Sequence, residues 1–597
     1  PQILNTVNIL AVFPNAWKSH YIFGRTILSE LALRGHNITL ISAYSDLPQE
    51  NLTEIELYGI EQNWIEMGLS FGYDEIRSKS AVERLTKMID AGTANADLIL
   101  SSEEMQKLLL SGQQFDLFFA DLFLSEALLG VAYYLQIPTV VVSASGTNNW
   151  LNEMTGNPHN SAIDPSSFLP FLEDMNLLQR IVNTLMSIFE KLSYYFFHML
   201  CQESVYKRHF ESLTGVGELP PLKKLVRAVN LVLINSHPVT NYPRSYVANM
   251  VEIGGTHLTL FPKLLEILNR KIFIEGAQDG VVYVSFGANL RTIDLPKEKL
   301  TALLTTLYSL RSSVRVIIKW EQAYMEGQPS NVYFDAWLPQ QAILAHRKVK
   351  LFITTGGLLS VMEAVKWKCP MLGIPISPDQ EVNIMRMERL GCAIKLSYEH
   401  FTSESLLDGI EQMLLNQSYQ QHIKAASSLF QDNLNLPMDK AIYYINLVLN
   451  SYHASYLQSK ATKMGFIETE MIDVLLIILA GIFAILAVPS VIICAILKKT
   501  NNYKPENASL IRVTLCRMPG CLRTRNAANP HKEFISSSSS SSIPKLPLDT
   551  GDWLLGLTKI LHHHRYYNIL SIYIHISANH TDESGQGRRG RNKVIQT

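Results

Sequence analysis

The chain has 597 residues, enough for several domain-sized cores. Charged residues make up 18% and apolar ones 47%, and the formal net charge is −1, so the balance carries no electrostatic footprint of a nucleic-acid binder. Six cysteines (Cys201, Cys369, Cys392, Cys494, Cys516, Cys521) are scattered without a CxxC pair or a spacing that would signal a disulfide framework or a zinc site. The first residue is Pro1 rather than Met, so the lack of a leader here is no evidence for a cytosolic protein.

In chain order, "VNILAVF" reads as an apolar strand, a helical pattern follows from about His20 to Arg34, Gly35 sits where a helix commonly stops, and "NITLIS" is the next strand. Such βαβ units build a parallel, doubly wound sheet. No GxGxxG follows the first strand, so the dinucleotide fingerprint is missing. A second strand ends at Asp121 within "FDLFFADLFLSEALLGVAYYLQIPTVVVS". Ligands of open α/β sheets bind beyond the carboxyl ends of strands, so His20 and Asp121 are expected to project toward one crevice.

"FLPFLEDMNLLQRIVNTLMSIFEKLSYYFFHML" is apolar with charges at helical intervals. It reads either as a pair of core helices or as a surface that touches a bilayer or receives lipophilic substrates. "NMVEIGGTHLTLFPKLLEILNRK" has a glycine pair and no clear strand periodicity, which suits a connection between domains. A second α/β half opens at "GVVYVSFGANL" and runs through "VRVIIKW", "LFITT" and "MLGIPI". The expected fold class is α/β, with two Rossmann-like domains facing one another. The expected division is 1–255, a connection at 256–279, 280–450, a juxtamembrane segment at 451–473, a membrane helix at 474–497 and a tail at 498–597.

The membrane helix is expected because Val474 to Leu497 is an uncharged run, longer than the roughly 18 residues that mark a spanning segment. Glu468, Glu470 and Asp473 precede it and Lys498, Lys499 and Lys504 follow, which by the positive-inside tendency puts the tail in the cytosol and the body in the lumen or exterior. That orientation exposes the sequons at Asn37, Asn51 and Asn416 to glycosylation and leaves those at Asn507 and Asn579 bare. The tail holds a serine run, the His562 to His564 run and "GQGRRGRNK", and reads as mostly disordered.

Three stretches then stand out together: "WLPQQAILAH", "TTGGLLSVMEAV" and "PISPDQEVN". Their ordered combination resembles the donor-binding signature of the UDP-glycosyltransferases, and the span from about Asn8 to Leu497 is similar to the membrane-anchored animal members. The resemblance implies a GT-B arrangement, with an N-terminal acceptor domain and a C-terminal UDP-sugar domain. It also implies an endoplasmic reticulum glycoprotein with lumenal catalytic domains and a role in detoxification.

Each piece has its own chemistry. Trp337 can stack on a uracil ring while the backbone at Leu338 meets the base edge, and Gln340 offers an amide. The Thr354-Thr355-Gly356-Gly357 turn joins a strand to a helix and exposes amides that can cradle a diphosphate. Ser360 and Glu363 have the spacing of a capping box; the resemblance makes Ser360 a phosphate ligand and Glu363 the carboxylate that accepts ribose hydroxyls. Asp379 and Gln380 read as a strand end, where Asp is a common N-cap, and the resemblance gives them the sugar hydroxyls. Ser285 and Gly287 look like further phosphate contacts, and His346 reads as a structural loop residue.

For catalysis the resemblance implies that His20 is the general base toward an acceptor hydroxyl, with Asp121 holding its tautomer. Attack then inverts an α-linked donor to a β-glycoside. UDP-sugar is a co-substrate, no cofactor is implied, and no DxD-type carboxylate pair calls for a metal ion.

Departures from the family pattern lie in the donor half. Thr355 stands where a histidine is usual, Arg347 where proline is frequent, and Lys368 and Pro378 where glycine is frequent. A single lost hydrogen bond to a charged group weakens donor binding rather than abolishing it, and Lys368 would offset some charge if it pointed inward. The reading is an enzyme that moves a hexose, glucose ahead of glucuronate, to a small lipophilic hydroxyl compound. The alternatives are a catalytically weak relative that binds ligands or pairs with a partner subunit, as a homo- or hetero-oligomer, and a membrane receptor or adaptor that uses the tail.

Overall fold

The computed structural model describes residues 6–66, 73–213, 218–259, 268–325, 327–450 and 452–501. The serine and histidine runs, Cys516, Cys521, Asn507 and Asn579 lie outside the described residues, as does 260–267 of the expected connection.

Among the described residues the first sheet has seven strands: β1 (Asn8–Phe13), β2 (Asn37–Ser42), β3 (Leu52–Glu56), β4 (Leu117–Ala120), β5 (Thr139–Ser143), β6 (Leu231–Ile234) and β7 (Met250–Glu252). Their order is β3-β2-β1-β4-β5-β6-β7 and every pairing is parallel. Helices cover both faces, which is why β1, β4, β5 and β6 are near-continuous runs of buried apolar residues. The Lys18–Leu33 helix follows β1, and Gly35 beyond its end has φ +91°, a conformation that glycine adopts without strain.

The second sheet has β8 (Gly280–Ser285), β9 (Val314–Lys319), β10 (Val332–Asp335), β11 (Val349–Thr354), β12 (Met371–Gly373) and β13 (Ala393–Lys395), again all parallel, in the order β10-β9-β8-β11-β12-β13. Each sheet has a point where the strand order reverses, between β1 and β4 in the first and between β8 and β11 in the second. Crevices for ligands open there.

Two sequence expectations change. The "NMVEIGG" stretch supplies β7, a three-residue edge strand too short to show alternation. The Pro437–Asn450 helix, counted with the second half in chain order, packs Ala441, Ile442, Ile445 and Val448 into the core of the first sheet, beside Leu28 and Leu231. Among the described cysteines, Cys201, Cys369, Cys392 and Cys494 are free thiols.

The 168–200 stretch is not a pair of core helices. It forms the Leu177–Ser193 helix, a π turn at Tyr194–His198 and the Met199–Phe210 helix, with Leu185 and Phe196 about 60% exposed. Its inner face packs Met186, Tyr194 and Met199 into the core of the first lobe and also buries polar groups: Asn183 donates to the carbonyls of Ser161 and Asp164, and His198 Nε2 meets Glu126 Oε2 at 2.5 Å. Glu190 is buried and accepts from Asn149 Nδ2 at 2.5 Å and from the Ser166 hydroxyl.

From Leu476 on, the Ile472–Asn501 helix belongs to a second unit. Its Ile472–Lys499 span has a mean hydropathy of 2.9 and is long and apolar enough to cross a membrane.

Burial pushes the Glu190 carboxyl from 4.5 up to about 7, against the lowering effect of its two hydrogen bonds. The unfolded chain therefore loses this proton before the folded one does, and stability falls as pH rises from 4.5 to 7. Glu190→Gln removes that dependence. The stability difference between variant and parent should grow between pH 5 and pH 8, to a gain of up to about 3 kcal/mol. Urea unfolding of the detergent-solubilised chain at both pH values reads it, and a difference independent of pH would refute it.

Candidate active site

His20 is the third residue of its helix, and Asp121 directly follows β4, so the reversal of strand order at β1 and β4 brings them together. The His20 Nδ1 to Asp121 Oδ2 distance is 2.5 Å and both side chains are buried. Asn15 Nδ2 donates to the same Asp121 oxygen at 3.3 Å. With Nδ1 bound to the carboxylate, Nε2 is the nitrogen left to accept a proton from a substrate.

His20 lies on the wall of a cavity of about 650 Å³, lined by residues of both sheets' lobes. On its side the wall is aromatic. Trp17 stands with its ring centre 4.9 Å from the imidazole, 4.7 Å from Trp64 and 4.8 Å from Phe123, and Phe123 packs edge-on against Trp150 at 5.0 Å. This shape suits an apolar body that carries a hydroxyl to Nε2.

The opposite wall comes from the second sheet. Ser285 ends β8 and Gly287 follows it, and Thr355 and Gly357 follow β11, all on the cavity lining. Gly356 lies just behind it with φ +89°; a Cβ there would approach Ile384 Cγ1 to 2.4 Å, so only glycine fits. Asn383 Nδ2 holds the Gly356 carbonyl at 3.0 Å. Gly357 caps the Leu358–Lys366 helix and has open space over its Cα, so the first amides of that helix face the cavity. A helix start of this kind attracts an anion.

The capping-box reading of Ser360 and Glu363 fails, because the helix begins at Leu358 and Ser360 is its third residue. Gln340 Nε2 instead donates to Ser360 Oγ at 3.0 Å and to Glu363 Oε2 at 2.6 Å, while its Oε1 accepts from the Tyr283 hydroxyl at 3.1 Å. Glu363 sits behind this wall, and burial pushes its carboxyl from 4.5 up to about 7, against the lowering effect of Gln340 and Gln341. Nearby His257, 3.8 Å from Glu363, is pushed down to about 4 by burial and is therefore neutral.

Trp337 is half exposed on the lining, with Lys18 Nζ 4.3 Å from its ring centre, and Leu338 is buried behind it. Lys319 Nζ, also on the lining, donates to the Gly287 carbonyl at 2.9 Å and to Glu321 at 2.8 Å. Sequence reasoning missed both lysines. Lys18 gives no signal beyond lying two residues before His20, and Lys319 only that it ends a strand.

Asp379 and Gln380 do not end a strand. They are the second and third residues of the Pro378–Arg389 helix, capped by Ser377, with Pro378 at the first position, where its missing N–H costs nothing. Gln380 Oε1 accepts from the Ile376 and Ser377 amides, and Asp379 Oδ1 from Ser377 Oγ at 2.5 Å; both residues line the cavity. Thr355 is buried on the lining, and its hydroxyl donates to the Phe286 carbonyl at 3.4 Å. Lys368 does not point inward: it is exposed beyond the far end of the Leu358–Lys366 helix, with φ +60°. His346 is buried and bound to Glu275 at 3.1 Å, away from the cavity.

The family model described as UDP-glucoronosyl and UDP-glucosyl transferase matches residues 8–504. UDP-glycosyltransferase UGT4 of Dactylopius coccus is 29% identical over 474 residues, spanning 79% of this chain and 91% of that protein. The 2-hydroxyacylsphingosine 1-beta-galactosyltransferase of Homo sapiens is 26% identical, over 80% of this chain and 86% of that protein. UDP-glucuronosyltransferase 2C1 of Oryctolagus cuniculus is 26% identical, over 78% and 94%. The crystal structure of CalG4, the calicheamicin glycosyltransferase, matches in fold with a TM-score of 0.50 and 16% identity, over 74% of this chain and 99% of that one. Two parallel α/β lobes of the GT-B type, with a ligand cavity between them and a family match across almost the whole described chain, make this protein a member of the UDP-glucuronosyl and UDP-glucosyl transferase family.

Proposed function

We propose that the chain transfers a hexose, glucose ahead of glucuronate, from its UDP-sugar to the hydroxyl of a small lipophilic acceptor, with inversion. The observation that carries this reading is that His20, backed by Asp121, opens on the same cavity as the Gly357 helix start. An acceptor held against Trp17, Phe123 and Trp150 presents its hydroxyl to His20 Nε2. The imidazole takes the proton, Asp121 stabilises the resulting cation, and the oxygen attacks the anomeric carbon from the face opposite the leaving UDP.

On the donor side, uracil lies against Trp337 and the Leu338 backbone, and arriving ribose hydroxyls replace Gln340 Nε2 on Glu363 and Ser360. The diphosphate is held by the Gly357 helix start, Ser285 and the Gly287 region, without a required metal ion. Asp379 and Gln380 take the sugar hydroxyls; the Asp379 carboxylate favours a neutral hexose over a uronate. The body is lumenal in the endoplasmic reticulum and the tail cytosolic.

A second reading, a ligand-binding relative with weak or no turnover, is favoured by one feature: the Thr355 hydroxyl is directed at the Phe286 carbonyl, and no histidine stands there. Acceptor-dependent UDP release from UDP-glucose by membranes holding the full chain separates the two. His20→Ala should lower turnover by about 10²–10⁴-fold while UDP binding persists, and Asp121→Asn should lower it with little change in the donor KM. No release from the parent chain across a panel of phenols, flavonoids and steroids would favour the second reading.

Thr355→His should tighten donor binding by roughly ten- to a hundredfold, the value of one hydrogen bond to a charged group. Calorimetric titration with UDP-glucose checks it; equal or weaker binding by the variant contradicts the role given to this position.

Because Glu363 must be ionised to accept ribose hydroxyls, donor affinity should fall as pH drops below about 7. Glu363→Gln should bind the donor more weakly at pH 8 and lose that dependence. A parent Kd flat from pH 5.5 to 8 would remove Glu363 from the ribose site.

A further inference from the structure

Arg84 is a cation set where three physical effects oppose it. It is the fourth residue of the Ala81–Ser101 helix, which Ser80 caps, and the positive end of a helix dipole disfavours a cation in that first turn. Burial lowers the basicity of its guanidinium; Asp379 works against that and Arg77 adds to it. Its hydrogen bonds go to neutral groups: Nη1 donates to the Lys79 carbonyl at 2.6 Å and Nη2 to the Phe168 carbonyl at 3.3 Å, while the buried Nε–H has no partner. An unmade bond on a charged group is costly to bury. An anion beside the guanidinium would relieve all three effects at once.

The position of Arg84 indicates where such an anion comes from. Arg84 and Lys79 lie on the lining of the His20 cavity, together with Ile76, Met88 and Phe168 of the same lobe. The charges of the donor are placed elsewhere, with the diphosphate assigned to the Gly357 helix start on the opposite wall. Asp379, the acidic side chain on the described lining, disfavours an acid on the transferred sugar. The acceptor remains. Trp17, Phe123 and Trp150 suit its apolar body, and the cationic corner suits an acidic group at the end away from the reacting hydroxyl.

We propose that Arg84, with Lys79 next to it, is an anion subsite of the acceptor cavity, so that the favoured acceptors carry a carboxylate or sulfate besides the hydroxyl that meets His20 Nε2. The planar guanidinium turns its Nε–H edge to that group and holds it at two points, which an ammonium cannot do. The proposal rests on the reading of this cavity as the acceptor site of a transferase, and the test keeps the two apart.

The probes are hydroxybenzoate, hydroxynaphthoate and hydroxybiphenyl carboxylate, each with hydroxyl and carboxylate at opposite ends and each compared with its uncharged amide. Calorimetric titration of the detergent-solubilised full chain with UDP present reads binding, and UDP release from UDP-glucose reads turnover. For at least one length the acid should bind roughly ten- to a hundredfold more tightly than its amide, the value of a hydrogen bond to a charged group. Arg84→Gln should abolish that preference and Arg84→Lys should keep part of it, while the amide, bound by the same variant, reports that the cavity is intact. Acids that bind the parent chain no better than their amides overturn the proposal. A preference that survives Arg84→Gln overturns it too and leaves Arg84 as a tie between two carbonyls. If Arg84→Gln instead alters the choice between UDP-glucuronate and UDP-glucose with the acid-to-amide ratio unchanged, the anion belongs to the donor and the proposal falls. An Arg84-dependent preference in a chain that turns over none of the probes supports the subsite and removes the transferase reading.

Discussion

The site depends on the 2.5 Å contact between His20 and Asp121. Neither residue is special alone; a histidine in the first turn of a helix and an aspartate after a strand are common. What makes the pair is the parallel sheet. β1 and β4 are neighbours in space although more than 100 residues separate the two side chains in sequence, and the order of strands reverses between them. Both loops therefore open on one crevice, and burial shields the contact from water. A carboxylate fixed to Nδ1 leaves the imidazole one functional nitrogen, aimed at the cavity.

The second lobe uses the same topology for a different purpose. Its reversal point, between β8 and β11, presents backbone amides and small residues rather than a titrating pair. Gly356 is compelled by its left-handed backbone and by Ile384, whereas Gly357 leaves space for something to lie over the helix start. Tyr283, Gln340 and Ser360 on the lining and the buried Glu363 behind them form one polar cluster, joined by Gln340. Such a cluster is costly if broken and left unpaired. A ligand that enters must supply the hydrogen bonds that Gln340 gives up, and this selects for a polyhydroxylated group there.

Much of this was legible in the sequence where physics acts locally. Long apolar runs announced β1, β2, β4, β8, β9 and β11, because strands covered on both faces have no polar residues to interrupt them. β3, β6, β7, β10 and β13 were missed: they are short or of mixed polarity, and their pairing depends on a neighbour far away in the chain. His20 and Asp121 were visible because each follows such a run. Ser360 was misread as a cap because spacing cannot say where a helix starts, and the Gln340 bridge between two elements leaves no periodic trace. Periodicity identified a helix in the 177–200 stretch but not which face turns outward, since that is decided by partners such as Asn149 and Glu126, remote in sequence.

The chain crosses between the lobes twice, once after β7 and again where the Pro437–Asn450 helix returns to the core of the first sheet. Two crossings restrict the lobes more than one linker would, because any change in their separation must strain both. Contacts near the cavity agree with limited travel. Lys18 N donates to Asn289 Oδ1 at 3.1 Å, Lys18 Nζ lies over Trp337, and Arg386 binds Glu173 at 2.8 Å from the opposite lobe. Lys18 belongs to the same helical turn as His20. A base that occupied the Trp337 face would displace this ammonium within one turn of the His20 imidazole.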